Sequence, residues 1–161
     1  MTKGFEKAAF ADCLRDVAFQ IFGIPFNEGM LHYEELKKEK FYEDLTFRNI
    51  LENLGSAVRS YDIDFWARTI LTKIQNSTKN ICISDLRYPN EYRVLKNYCD
   101  KNGIDFKLVF TDFHSEKYKD DNPHESAQMA NFLKKRGYKD QEYINEFDIA
   151  DYEAMRLAEG E

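Results

Sequence analysis

The chain has 161 residues, of which 43% are hydrophobic and 32% charged, which is the composition of a folded globular protein and not of a disordered one. Its net charge of −6 argues against a general nucleic-acid binder, because such proteins usually carry a basic face. No apolar run approaches the length of a membrane span, and the first ten residues lack the apolar core of a secretion signal. Cys13, Cys82 and Cys99 have no CxxC spacing, so we expect buried, reduced thiols in a cytoplasmic protein of one domain.

The first half of the chain is predicted to hold one strand and several helices. Apolar residues at helical spacing, bounded by capping and terminating residues, mark these helices. In chain order we predict a strand at 5–11, a helix capped by Asp12, a polar solvated helix or mobile excursion at 27–44, a helix beginning at Thr46 and a helix capped by Asp62 or Asp64.

The second half of the chain alternates between short apolar runs and helical patterns. In chain order we predict a buried strand at 80–85, a helix from Pro89 to Gly103, a strand at 104–111, an acidic loop at 112–122, a helix at 124–136 and a strand at 143–149. Strands that alternate with helices indicate an α/β domain with a largely parallel sheet.

The strongest candidate for chemistry follows the strand at 80–85, because parallel sheets hold their sites at the carboxyl ends of strands. There Asp85 stands where a Mg²⁺-associated or hydrogen-bonding carboxylate is expected, and Arg87 is placed to reach a phosphate. Glu91 lies at the start of the next helix. The structural alternative is an ion pair between Asp85 and Arg87, with Asn90 as a helix cap.

Two further groups are candidates for ligand binding. Arg59, Asp64 and Trp66 combine a cation, a carboxylate and an aromatic ring, which suit the phosphate, sugar and base of a nucleotide. Their alternative roles are a surface cation, a helix cap and a core tryptophan. Asp12 and Arg15 place a carboxylate and a cation in the first turn after a strand, where Asp12 is equally well explained as a plain cap.

Several common motifs are missing from the sequence. None of its 7 glycines is followed by lysine, so the phosphate-binding loop GxxxxGK[ST] is absent, and so is GxGxxG. The 3 histidines are scattered and do not predict a zinc site. We therefore expect no metal held by this chain alone and no loop of backbone amides for the phosphates of ATP.

Three segments together resemble a known family. FADCLRDVAFQIFGI, RNILENLGSAVRSYDIDFW and ICISDLRYPNEYRVL are similar, in order, to segments of phage-type deoxynucleoside monophosphate kinases. NPHES is similar to a later element of the same family. These enzymes are P-loop kinases that transfer the γ-phosphoryl group of ATP, with Mg²⁺, to a deoxynucleoside monophosphate.

The resemblance implies a fold, a site and a function. The implied fold is a three-layer parallel sheet of the P-loop nucleoside monophosphate kinase type, missing the first strand, the P-loop and the first helix. Residues 25–79 would form a helical substrate-binding insertion and residues 112–142 a lid-like region. The implied catalytic residues are Asp85 and Arg87, and the implied substrate-binding residues are Asp12, Arg15, Arg59, Asp64, Trp66, Glu91 and His124.

The sequence begins where the family's P-loop unit would already have ended. The sheet order 2-3-1-4-5 of such kinases would then lack its central strand, between the strands at 80–84 and 104–110. A separate P-loop subunit, direct pairing of the two flanking strands or a homodimer would each fill that gap. We expect a separate subunit, and hence one half of a deoxynucleoside monophosphate kinase. The alternative is a non-catalytic, nucleotide-binding or regulatory pseudokinase.

Overall fold

The computed structural model describes residues 4–111 and 128–160. The chain divides into two compact units, residues 1–86 and residues 87–161, which we call the N-terminal and C-terminal units. The single domain predicted from the sequence stays a prediction. His124 and most of the proposed lid-like region lie outside the described residues.

The N-terminal unit is mostly helical. Its elements are β1 (Phe5–Ala8), α1 (Ala11–Ile21), α2 (Phe26–Leu31), α3 (Tyr33–Leu36), β2 (Lys40–Tyr42), β3 (Leu45–Thr46), α4 (Phe47–Tyr61), α5 (Phe65–Asn76) and β4 (Asn80–Ile83). The predicted helices beginning near Asp12, Thr46 and Asp64 are confirmed as α1, α4 and α5. The prediction that Asp12 caps α1 is wrong, because the N-cap residue is Phe10 and Asp12 lies in the first turn.

The predicted three-layer parallel sheet is wrong. The described strands form two sheets of 2 strands each, β1 with β4 in parallel and β2 with β3 antiparallel. The strand predicted at 104–111 is also wrong: as described, this segment contributes only an isolated bridge between Val109 and Tyr143. The predicted strand at 143–149 is mostly the start of a helix, because the Asn145 side chain accepts a hydrogen bond from the amide of Phe147 and caps it.

The polar stretch 27–44 is not a detached excursion. Tyr33 and Phe41 of this stretch, together with Phe26 just before it, pack on a core around Phe19, which is fully buried and stacks on Phe47 with ring centroids 5.4 Å apart. Phe26 and Tyr33 meet the same Phe19 ring edge-on, at 6.0 and 6.5 Å. Gly29 lies so close that a Cβ atom there would stand 2.7 Å from the ring of Phe19. The stretch therefore covers an aromatic core, and its charges face outward.

Two local features determine where α4 begins and how closely it packs on α1. Thr46 and Asn49 form a reciprocal capping box at its start, with the Asn49 amide 3.3 Å from Thr46 Oγ1 and the Thr46 amide 3.1 Å from Asn49 Oδ1. At Gly55 a Cβ atom would stand 3.2 Å from Leu14 Cδ2. A glycine at this position lets α4 approach α1 closely.

The parallel pair of β1 and β4 leaves one face bare. In a strand, alternate side chains point to opposite faces. Ala8 on one face is buried, and its partner Ile83 is half-buried. The other face consists of four exposed residues: Phe5, Lys7, Asn80 and Cys82. Parallel sheets are normally covered on both faces, so the predicted burial of the strand at 80–85 and of Cys82 is wrong.

The two outer edges of this sheet differ. The Ser84 amide donates to the Ala8 carbonyl at 3.3 Å, so Ser84 directs its backbone groups toward β1. Successive residues of a strand direct these groups to opposite sides. Ile81 and Ile83 therefore direct their N–H and C=O groups away from β1. On the opposite edge, the Lys7 carbonyl accepts a hydrogen bond from Lys73 Nζ at 2.9 Å. In the part of the chain that the structure describes, β4 pairs only with β1, so its outer edge is open.

The C-terminal unit contains α6 (Pro89–Asn102), α7 (Gln128–Lys135) and α8 (Glu146–Ala158). The predicted helix from Pro89 is confirmed, and it ends at Gly103, whose φ of 65° is left-handed. The buried hydrophobic residues of the C-terminal unit, among those described, are Leu95, Cys99, Phe110, Met129, Leu133, Ile149 and Tyr152. Among the residues described, no helix has the length and hydrophobicity needed to cross a membrane.

Candidate functional site

The start of α1 is held by two carboxylates. Asp85, directly after β4, accepts hydrogen bonds from the Phe10 amide at 2.8 Å through Oδ1 and from the Ala11 amide at 3.1 Å through Oδ2. Asp12 Oδ2 accepts from the Ala9 amide at 3.0 Å. These amides have no partners within a helix, and negative charge is favourable there. Asp85 thus fastens the end of β4 to the beginning of α1.

Arg15 lies one turn further along α1. Its Nη1 is 3.1 Å from Asp12 Oδ1, and its guanidinium carbon lies 4.8 Å from the centre of the Tyr33 ring. The side chain is only 21% exposed. Its Nε is buried and has no hydrogen-bond partner among the residues that the structure describes, which is uncommon because buried donors are nearly always paired. Arg15 therefore combines a guanidinium held by Asp12, contact with the Tyr33 ring, and an Nε–H donor that is available to a ligand.

Arg59 stands on the α4 side of the same helix pair. Its Nη2 is 4.0 Å from the position that a Cβ atom would take at Gly55, the residue against which Leu14 of α1 packs. The fold therefore brings Asp12, Arg15 and Asp85 together at the start of α1, with Arg59 on the neighbouring helix.

Trp66 and Asp64, the other two predicted ligand-binding residues of this unit, make contacts within the protein. Trp66 is 8% exposed, and its indole N–H donates to the Gly55 carbonyl at 3.1 Å. Asp64 occupies the cap position of α5 without a side-chain capping bond, and its Oδ2 lies 3.9 Å from Arg68 Nη1. Trp66 thus has the geometry of the core tryptophan left open by the sequence, and its role in binding a base stays a prediction.

Arg87 and Glu91 belong to the C-terminal unit, whereas Asp85 belongs to the N-terminal one. Glu91 is 7% exposed, and its Oε2 accepts from the amides of Arg87 at 2.7 Å and Tyr88 at 3.0 Å. These two bonds satisfy donors at the start of α6. Glu91 therefore stabilises the turn of the DLRYPNE motif, and Arg87 extends from it as an exposed cation.

The role proposed for Asp85 toward Mg²⁺ stays a prediction. Both oxygens of Asp85 already accept hydrogen bonds from backbone amides. In the described ranges, no group of three or more His, Cys, Asp or Glu side chains is arranged to hold a metal ion.

Sequence reasoning missed Tyr33 as part of the site. Phe26 begins α2 and Tyr33 begins α3, so no helical periodicity relates them, and the contact between Tyr33 and Arg15 has no local signal.

No protein-family model matches the chain, and neither a curated protein nor a solved structure matches it.

Proposed function

We propose that this chain is the acceptor-binding subunit of a deoxynucleoside monophosphate kinase in the cytoplasm, working with a separate P-loop subunit that holds ATP and its Mg²⁺. The observation that carries the acceptor part is Arg15, a guanidinium with a buried, unpartnered Nε beside the ring of Tyr33. Guanidinium groups bind phosphate through paired hydrogen bonds, and a monophosphate can exchange with Asp12 for the other nitrogens of Arg15.

Phosphoryl transfer depends mainly on positioning and on neutralising charge. A cation on the acceptor side contributes to both, because it fixes the attacking phosphate oxygen and offsets the repulsion between two anions. Arg15 is the first candidate for this role, and Arg59 supplies a second positive charge near the α1–α4 contact. In this proposal the carboxylate of Asp85 positions α1, and with it Arg15, by holding the amides of Phe10 and Ala11.

The open edge of β4 supports the presence of a second polypeptide. Its outward N–H and C=O groups at Ile81 and Ile83 are complementary to an extended strand, and strand addition to such an edge is a common mode of association. A subunit that adds a strand to the outer edge of β4 would also be positioned to cover the bare face of β1 and β4.

A second function is favoured by a specific observation. Both oxygens of Asp85 and the indole of Trp66 are engaged within the protein. A chain with those contacts can bind a nucleotide through Arg15 without taking part in transfer. The alternative function is therefore a non-catalytic, regulatory nucleotide-binding protein.

Calorimetric titration of the full chain with the four deoxynucleoside monophosphates tests the acceptor site. We expect saturable binding that Arg15→Gln weakens about 10- to 100-fold, the range for losing charged hydrogen bonds of about 1.5–3 kcal/mol. Arg48→Gln is the matched control, since Arg48 is exposed on the same unit, and it should leave the affinity unchanged. Equal affinities of the two variants, or no binding by the native chain, would refute the proposal.

Mixing the chain with a P-loop protein encoded beside it, and following transfer from radiolabelled ATP, separates the two functions. Transfer that needs both proteins and is lost in Arg15→Gln supports the kinase subunit. Binding of the monophosphate without transfer by the mixture supports the regulatory alternative.

A further inference from the structure

The C-terminal unit contains a cleft that the proposed function does not use. It has a volume of about 340 Å³ and lies between α6, the extended segment at 106–108 and the beginning of α8. This volume is in the range of small-molecule sites. The side chains that matter to its chemistry are Tyr92, Lys96, Phe106, Lys107, Tyr143 and Glu146.

Aromatic rings form the apolar wall of the cleft. Tyr92 and Phe106 are both half-buried, with ring centroids 5.8 Å apart and planes inclined at 45°. Tyr143 is 68% exposed at the rim, and its neighbour Ile144 is fixed by an amide that donates to the Leu108 carbonyl at 3.0 Å. Inclined rings of this kind accept a third planar ring edge-on or offset.

The charged groups of the cleft are two ammonium groups and one carboxylate. The carboxylate belongs to Glu146. Burial and the charge of this carboxylate raise the pKa of Tyr92, which keeps its hydroxyl protonated. Lys96 is held by Asp100, with Nζ 2.6 Å from both carboxylate oxygens. Lys107 has a weaker partner, Asp105, at 3.6 Å on an exposed segment.

These observations favour a ligand with both a ring and a negative charge. Lys107 is able to leave Asp105 at little cost, because exposed ion pairs contribute only about 0–1 kcal/mol. We infer that the cleft binds a planar aromatic ring carrying an anionic group, with the ring against Phe106 and Tyr92 and the anion at Lys107. A nucleotide and an aromatic carboxylate share this chemistry. The site consists of residues other than those proposed for the acceptor, so it stands or falls independently of the proposed function.

Nuclear magnetic resonance titration of the full, ¹⁵N-labelled chain tests the inference with three probes. Adenosine 5′-monophosphate and indole-3-acetate both carry a ring and an anion, whereas inorganic phosphate carries the anion alone. We expect saturable shifts of the amides at 106–108 and 143–146 with one or both aromatic probes. The stronger of the two identifies the source of the anion. Equal shifts with inorganic phosphate, or no shift at these amides at 10 mM probe, on the order of the weakest ligand affinities, would overturn the inference.

Two substitutions with the same charge change provide the control. Lys107→Glu should weaken binding at least about 10-fold, the loss of one charge-assisted contact. Lys101→Glu, on the last turn of α6 and outside the cleft, should not. If Lys107→Glu disturbs the spectrum of the free protein, Lys107→Gln replaces it. Arg15→Gln should leave these shifts unchanged, which distinguishes failure here from failure of the acceptor site. Equal weakening by the variants at 101 and 107 contradicts the proposed contact.

Discussion

Replacing Asp85 by alanine removes the carboxylate that joins β4 to α1. The two amides it satisfies, at 2.8 and 3.1 Å, lose a charged acceptor and are left to water. Hydrogen bonds to charged groups contribute about 1.5–3 kcal/mol each when buried, whereas a helix cap typically contributes about 0.5–2 kcal/mol. Because the site is half-buried, we expect a loss of about 2–3 kcal/mol in the free energy of unfolding of the N-terminal unit.

The lone tryptophan makes this loss measurable. Trp66 is buried in the N-terminal unit, so its fluorescence in a urea or thermal titration reports the unfolding of that unit. With about 4–8 °C per kcal/mol for a domain of this size, Asp85→Ala should lower the melting temperature by about 8–24 °C. Asp85→Asn retains one acceptor oxygen and should fall between alanine and the native protein.

The control for this measurement is Asp44→Ala, since Asp44 is 96% exposed and contacts only Lys40. It should change the melting temperature by no more than a degree or two, on the order of an ordinary surface substitution. If Asp85→Ala were as stable as this control, and lost only ligand affinity, the carboxylate would be a ligand group and the capping role described above would be wrong.

Two further substitutions test packing and charge. Gly29→Ala places a Cβ atom 2.7 Å from the ring of Phe19 and should destabilise the N-terminal unit by about 1–3 kcal/mol. Adding Phe19→Leu should then cost less than the sum of the two single changes, and strict additivity in urea titrations would contradict the steric explanation. The hydrogen bond from Tyr138 lowers the pKa of Asp148 below its ordinary value of 3.8. The ionised Asp148 carboxylate therefore stabilises the folded protein above pH 3.8, and this stabilisation is lost as the pH falls through the lowered pKa. Asp148→Asn should flatten the pH dependence of stability below about pH 4, measured by circular dichroism, and an unchanged acid transition would count against the hydrogen bond from Tyr138.

The helices of the N-terminal unit could be predicted because their signals are local. Thr46 and Asn49 are three residues apart, and their capping box needs nothing but that spacing. The helix at Pro89 and its end at Gly103 follow from the fixed φ of proline and the left-handed freedom of glycine. Signals of this kind depend only on neighbours in the sequence.

The sheet could not be predicted in the same way. An apolar run such as Ile81–Ile83 fits a buried strand, but whether it is covered depends on other segments of the chain. Tyr143 and Ile149 fit a strand by composition, yet the cap at Asn145 makes most of that segment helical. Of the site, the placement of Asp12 and Arg15 in the first turn after β1 was predicted from local sequence, whereas the contact of Asp85 with the amides of α1 joins residues 74 and 75 positions apart and has no local signal.

The open outer edge of β4 also affects the solubility of the purified protein. Natural edge strands contain a lysine, a proline or a bulge that prevents pairing with the edge strand of another molecule. The Asn-Ile-Cys-Ile sequence of β4 contains none of these. Concentrated solutions of the isolated chain will therefore tend to precipitate through this strand, and the exposed thiol of Cys82 adds a route to covalent dimers unless a reductant is present. Production together with a strand-donating subunit should raise the yield of protein that stays dissolved.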